Sequence, residues 1–523
     1  ASSRPPEGGG KRPRRSLNEV EVERSPFELK RRLFQTTASM PNVVPPVSLV
    51  RCALFLLLAA CSVFAQEARV RLKVSSGGVL VEGALAIPRA DWSFRHSYAG
   101  IGELAERIGP LSLRDSTGGE VAVRALASGE YRAARPASDF RYRVDLSRLP
   151  TPVAAAHISW LAGERGLLML GDLLPQQIER ARVEIVLPAG WRMFPAEAGR
   201  IEEVANAVFA VGADQSIVER KARGMRVSTV IFGEWSFAGQ ELAQHAERIV
   251  AEHARVFGGV PRERATLILL PFPKADGAPQ WAAETRGATT IFIARPSFAL
   301  APLAVSLAHE LFHLWVPNSL PLTGEYAWFY EGFTLYQAMR AAQRLDLLSF
   351  HDYLRALERA SSAWLADDGR DSSLIEAATR RWTGQNALIY NKGMVAAFLY
   401  DLVLRQRTKN RSSLDDIYRT LFRQYHTAAP QNGNAAALET LRFGGLMSDV
   451  VTELIERPGE MKLVERLAPH GLRAEIANGR VRLLIEDQLT PAQRDLWRGL
   501  GYNPLDERGR RQRARLRKLP RED

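Results

Sequence analysis

His309-Glu310-Leu311-Phe312-His313, read with Trp328-Phe329-Tyr330-Glu331-Gly332-Phe333-Thr334 downstream, is the stretch on which the fold of this chain turns. Residues 303–316 carry the apolar pattern of a buried helix. On a helix, side chains four positions apart stack on one face. His309 and His313 therefore point the same way, and two imidazoles can meet one ion. Glu310 lies one position round, placed to take a proton from water rather than to bind the ion. This geometry is why His-Glu-x-x-His suits metal-assisted hydrolysis. With nine histidines in the chain, the motif is expected by chance on the order of 0.01 times. The plain alternative is a pair of core histidines at helical pitch.

A third ligand is needed, because zinc sites of this type take three protein donors. Seventeen residues separate His313 from Glu331. Pro317, Asn318, Pro321 and Gly324 make the intervening stretch a turn. A second helix can then bring Glu331 back to the histidines. A carboxylate inside an aromatic run is costly to bury unpaired, and a zinc ion supplies the partner. Glu325 is the nearest rival ligand. The plain alternative is a solvated acid at a helix start.

His309-Glu-Leu-Phe-His313 followed by Trp-Phe-Tyr-Glu331-Gly-Phe-Thr resembles the gluzincin zinc metallopeptidases. Within them it is most similar to the glycyl aminopeptidase family. Ile389-Tyr390-Asn391-Lys392-Gly393 resembles the Tyr-x-Lys-Gly segment of gluzincin aminopeptidases, and Leu399-Tyr-Asp-Leu-Val-Leu-Arg405 and Ser413-Leu-Asp-Asp416 are similar as well. The resemblance covers roughly 67–475 and is strongest over 300–420. It implies an α+β multidomain chain: an N-terminal β-sandwich-like domain, then a thermolysin-like, mainly helical zinc peptidase domain. It implies Zn2+ as cofactor, Tyr390 as the donor to the oxyanion, and release of small N-terminal residues such as Gly or Ala. It also implies an acid for the substrate's free ammonium. Glu284, in Trp281-Ala-Ala-Glu-Thr-Arg-Gly287, occupies the matching place. The segment departs from the family there. Thr285 stands where a histidine is expected, and Ala282-Ala283 replaces a glycine-containing turn. The plain reading of Glu284 is an exposed loop acid paired with Arg286. Many members of the family carry a PDZ domain after the catalytic part. The stretch after Leu472 is too short for an ordinary one, so no complete PDZ domain is expected here, either because it is absent or because the chain is truncated.

The rest of the chain agrees with this organisation. It has 523 residues and is 46% apolar, enough for several domains with buried cores. Residues 67–235 alternate apolar and polar, as in Ala68-Arg-Val-Arg-Leu-Lys-Val74, and read as an all-β domain. The expected divisions are 1–39 as a disordered or non-native leader, 40–65 as a signal peptide and 66–235 as the β domain. They continue with 236–425 as the catalytic domain, 426–500 as a mixed segment and 501–523 as a basic disordered tail. The net charge is +12, of which nine units sit in residues 1–39 and 507–523. The excess is therefore in solvated ends, and no nucleic-acid partner is expected. Both cysteines, Cys52 and Cys61, lie in one short apolar segment after Met40 and Arg51. It reads as a secretory signal, cut after Val63-Phe64-Ala65 or, as a lipobox, before a lipidated Cys61 that attaches the chain to a membrane. Either way an extracytoplasmic location, such as a bacterial periplasm, is expected. Without a cysteine pair in the mature chain, a disulfide framework and cysteine-ligated zinc are excluded.

These observations point to metal-assisted hydrolysis of a peptide or protein substrate. Three rivals remain at this level. One is an endopeptidase on the same fold. Another is a non-catalytic binding protein stabilised by its metal, which would have no need of Glu310. The third is a membrane-surface or nucleic-acid binder that uses the basic tail.

Overall fold

The computed structural model describes residues 67–503 apart from Ala275. The expected leader, the signal segment with Cys52 and Cys61, and residues 504–523 of the basic tail lie outside the described residues.

Alternation in the first third produces strands, as expected. Glu67–Ser75 buries Ala68, Val70, Leu72 and Val74 and exposes the residues between. It pairs antiparallel with Gly78–Ser93 and parallel with Arg180–Val186, inside an eight-stranded sheet. A four-stranded sheet follows the order Arg192–Phe194, Val208–Gly212, Arg165–Met169, Trp160–Ala162. The two sheets share one core, in which Val70 and Leu72 join Leu168, Phe209 and Val211. This is the sandwich that the alternation implied.

Side-chain period decides what lies behind it. In the four-stranded sheet, Leu167, Met169, Val208 and Ala210 point away from that core. They pack instead on Val230, Phe232, Ile268, Leu270, Ile291 and Ile293. Those residues belong to a third, five-stranded sheet, ordered Gln215–Ala222, Met225–Phe232, Arg264–Pro271, Thr289–Ala294, Trp281–Arg286. The alternate residues of this sheet, Val227, Ile231, Leu267, Leu269 and Phe292, face the helices. Both inner sheets are thus covered on both faces, which explains their near-continuous apolar strands.

One expected division shifts. The alternation places residues 215–232 in the β domain, yet Met225–Phe232 pairs parallel with Arg264–Pro271. Sheet membership therefore changes between Gly212 and Gln215, not at 235. Alternation reveals a strand but not the sheet it joins. Residues 426–500 mix helices with the strands Leu472–Ala477 and Arg480–Ile485, and Leu438, Leu454, Leu467, Leu483 and Trp497 enter the same core as helices Ala304–Phe312 and Asn386–Thr408.

Helix Gly239–Phe257 buries Leu242, Ala246, Ile249, Val250 and His253 along one face and ends at Gly258, whose φ of 81° suits the left-handed cap. Its buried His253 lies with Nε2 2.8 Å from the Ala308 carbonyl, tying it to helix Ala304–Phe312. Helix Asn386–Thr408 is apolar nearly all round, and its buried residues run along its whole length. It is long and apolar enough by composition to cross a membrane, but here it is the central core helix.

Candidate metal centre and active-site cleft

His309 sits in the last turn of helix Ala304–Phe312, and His313 caps that helix. The Nε2 atoms of the two imidazoles lie 3.1 Å apart. Glu331 Oε2 is 3.2 Å from His309 Nε2 and 3.5 Å from His313 Nε2. All three residues are buried. The orientation of His313 is set from behind, because its Nδ1 lies 2.9 Å from the Val316 carbonyl and donates to it. Its Nε2 therefore faces the other two donors, the usual arrangement behind a metal-binding imidazole. Burial disfavours charge on His313, but the Glu331 carboxylate outweighs it and lifts the pKa to about 9. The point between the three groups attracts positive charge. Two nitrogens and one carboxylate oxygen within 4.8 Å of one another suit zinc. Among the described residues no other His, Cys, Asp and Glu group converges in this way. Glu325, the rival ligand, is exposed and stands outside the cluster.

The position of Glu331 depends on a close crossing of two helical segments. It lies in the wide, π-type turn Trp328–Phe333, which leads into helix Thr334–Arg344. A Cβ on Gly332 would stand 2.5 Å from the Ile389 carbonyl oxygen and 2.6 Å from Gly393 Cα. Backbones can approach this closely only where both residues lack a side chain. The crossing carries Tyr390 to the cluster, its ring centroid 6.0 Å from that of His309. Burial and the neighbouring Glu331 push the Tyr390 phenol well above its ordinary pKa. It keeps its proton and is available as a donor.

Glu310 is held by the residue that departs from the family pattern. Thr285 Oγ1 lies 3.0 Å from Glu310 Oε2 and 2.8 Å from the Glu310 carbonyl. Thr285 is itself anchored, since its carbonyl accepts from Asn318 Nδ2 at 3.0 Å. Its single hydroxyl hydrogen is shared between the Glu310 carbonyl, which is the nearer, and the carboxylate, so Thr285 ties the edge strand to Glu310 at both places.

Glu284 is not the exposed loop acid of the plain reading. It lies in the edge strand Trp281–Arg286, with its side chain only 12% exposed. It does pair with Arg286, whose Nε is 3.0 Å from Oε1. Tyr98 OH also donates to Oε1, and His157 Nδ1 lies 2.6 Å from Oε2. Burial opposes ionisation, but Arg286 and His157 prevail and hold the carboxyl below its ordinary pKa. Glu284 is a buried, ionised and already partnered carboxylate.

Glu310, His313, Glu331, Tyr390 and Glu284 all line one cleft of about 600 Å³. The loop Ser97–Gly100 and His157, from the first two sheets, complete it beside Glu284. Sequence reading missed three members: Tyr98, His157 and Arg381. Arg381 Nη2 donates to Glu331 Oε1 at 2.7 Å. None of the three stands in a motif. They reach the site from distant parts of the chain, so spacing carries no signal for them.

No protein-family model and no curated protein matches the sequence. Solved structures share its fold. An aminopeptidase N family protein from Idiomarina loihiensis matches with a TM-score of 0.67 at 16% identity, over 78% of this chain and 79% of that one. An M1 zinc metallopeptidase from Deinococcus radiodurans matches with a TM-score of 0.51 at 15% identity, over 75% and 93% of the two chains. A glutamate-to-alanine variant of the Deinococcus protein, bound to Tyr-Ser-Ala, matches with a TM-score of 0.51 at 14% identity, over 76% and 96%. At these identities the likeness is one of fold, and the chain has the multidomain α+β architecture of the M1 zinc metallopeptidases.

Proposed function

We propose that this chain is a zinc-dependent peptidase that acts as an aminopeptidase on short peptides with small N-terminal residues. The observation that carries the reading is the convergence of His309 Nε2, His313 Nε2 and Glu331 Oε2, with Glu310 and Tyr390 beside them in one cleft. The resemblance to glycyl aminopeptidases supports the preference for Gly or Ala. The fold shared with aminopeptidase N-like proteins, one of them bound to a tripeptide, supports the substrate class.

His309, His313 and Glu331 would hold the ion, which would supply Lewis-acid polarisation of the scissile carbonyl and a more acidic bound water. Glu310 takes the proton from the attacking water on its carboxylate, then delivers it to the departing amine nitrogen. Tyr390 donates its hydroxyl hydrogen to the oxyanion that develops on the former carbonyl. Glu284 places negative charge in the cleft where a substrate ammonium can meet it.

An endopeptidase is the second reading, and one observation favours it. Three partners already occupy Glu284, and Arg286 balances its charge. The deciding experiment is a panel of N-terminally free and blocked peptides, assayed with a chelator and after zinc is returned. Cleavage of free peptides only, lost with the chelator and restored by zinc, is expected. Equal cleavage of both sets moves the assignment to an endopeptidase. Activity that survives both the chelator and Glu310→Gln removes the mechanism altogether. Export from the cytosol through residues 40–65 is part of the same proposal. N-terminal sequencing of the mature protein, with mass analysis of Cys61 for lipid, tests it.

A further inference from the structure

Resting on the zinc-peptidase reading, we propose that Arg381 is a positioning residue for the metal site, holding Glu331 so that one oxygen is left free and faces the two histidines. The two oxygens of Glu331 have separate duties. Oε2 faces His309 and His313, whereas Oε1 accepts from Arg381 Nη2 at 2.7 Å. No other Lys or Arg among the described residues forms an ion pair with Glu331.

Arg381 is itself fixed on several sides. Its Nη1 donates to Tyr330 OH at 2.9 Å, and its Nε donates to Asn386 Oδ1 at 3.2 Å. Its guanidinium lies 4.6 Å from the Trp382 ring centroid and 5.6 Å from that of Tyr330. Although charged, the side chain is only 12% exposed, and it lines the cleft. It rises from the short turn Arg381–Thr383, which precedes helix Asn386–Thr408 and so is tied to the element that carries Tyr390.

The chemistry follows from the fork. A carboxylate can offer both oxygens to a cation, and a guanidinium that occupies one leaves the other. Oε2 is then preset towards His309 and His313, so an ion meets three donors already in place. A lysine here would keep the charge but could not span Glu331, Tyr330 and Asn386 with one planar group.

The test uses the full chain and zinc itself as the probe, with affinity read by titration against a competing fluorescent chelator. Arg381→Ala is expected to weaken zinc binding by about 10- to 100-fold and to lower kcat/KM on a free tripeptide by a similar factor. Arg381→Lys recovers only part of either. The thermal unfolding midpoint of the metal-stripped Arg381→Ala protein stays near that of the metal-stripped parent, and added guanidinium ion restores part of the affinity. Parental zinc affinity in Arg381→Ala, or in Arg381→Lys, overturns the proposal. Should Arg381→Ala fail to fold, Arg381→Lys and Tyr330→Phe, which removes one anchor of the fork, carry the same measurement. A parent chain that binds zinc but cleaves no peptide removes the peptidase reading, and the chelator titration still decides this one. Unaltered zinc affinity in the Arg381 variants of an active peptidase removes this one alone.

Discussion

The donor role proposed for Tyr390 requires that its phenol keep its proton, and its buried position beside Glu331 raises its pKa accordingly. Tyr390→Phe deletes one donor aimed at developing charge and changes little else in shape. A fall in kcat of about 100- to 1,000-fold is expected, with KM and zinc affinity close to the parent. Steady-state kinetics beside a chelator titration separates this from damage to the metal site. Thr285 makes a milder contribution, through the proton acceptor rather than the substrate. Thr285→Val keeps the β-branched shape but removes the hydrogen that reaches Glu310. A loss of kcat of about fivefold is expected, in line with a hydrogen bond of about 1 kcal/mol. A rate equal to the parent would mean that Glu310 needs no such support.

At the scale of elements, the crossing of Trp328–Phe333 with helix Asn386–Thr408 sets the distance between a ligand and a donor. Gly332→Ala would drive a methyl carbon against the Ile389 carbonyl and Gly393 Cα, both backbone atoms that cannot rotate aside. A destabilisation of about 1–3 kcal/mol is expected, seen as a lower urea midpoint, together with weaker zinc binding. A second junction joins three helices by charge. Asp415, in helix Leu414–Tyr425, receives Arg255 at 2.8 Å and Arg344 at 2.9 Å. Arg344 also donates to Glu252 at 2.7 Å. Burial opposes ionisation of Asp415, but Arg344 and Arg255 prevail and hold its carboxyl below the ordinary range. Its folded pKa is thus depressed relative to an unfolded value of about 3.9. The stabilisation is fully present above that value and is lost as pH falls through the folded one. Asp415→Asn should therefore cost about 3 kcal/mol at neutral pH. The gap between parent and variant should narrow below about pH 4 in urea melts taken across pH. A gap that widens on acidification would contradict the assignment.

On the scale of the whole molecule, the cleft is a joint product of the sheets and the helices. The four-stranded sheet covers Val230, Phe232, Ile268, Leu270, Ile291 and Ile293, and the region before residue 213 supplies Tyr98 and His157 to Glu284. A chain lacking residues 67–212 would expose a contiguous apolar sheet face, and such faces associate. Self-association in sedimentation velocity is expected. A monomeric, cleanly melting fragment would show that the five-stranded sheet and its helices fold alone.

What the sequence determined by itself was local and periodic. The pitch of a helix puts His309 and His313 on one side, alternation marks the strands, and a costly acid in an aromatic run singles out Glu331 as needing a partner. Glu310, Tyr390 and Glu284 were legible as candidates, and the structure brings all three to the same cleft. What tertiary structure decided was partnership. Alternation cannot say which sheet a strand joins, so residues 215–232 belong to the five-stranded sheet. Spacing cannot foretell that Arg381 reaches Glu331 or that Tyr98 and His157 reach Glu284, because those contacts span 50, 186 and 127 positions. Pairs so distant in the chain are set by how layers stack over a shared core. The same cause settled the role of Thr285, whose hydroxyl meets Glu310 only because an edge strand lies beside the helix that carries His309.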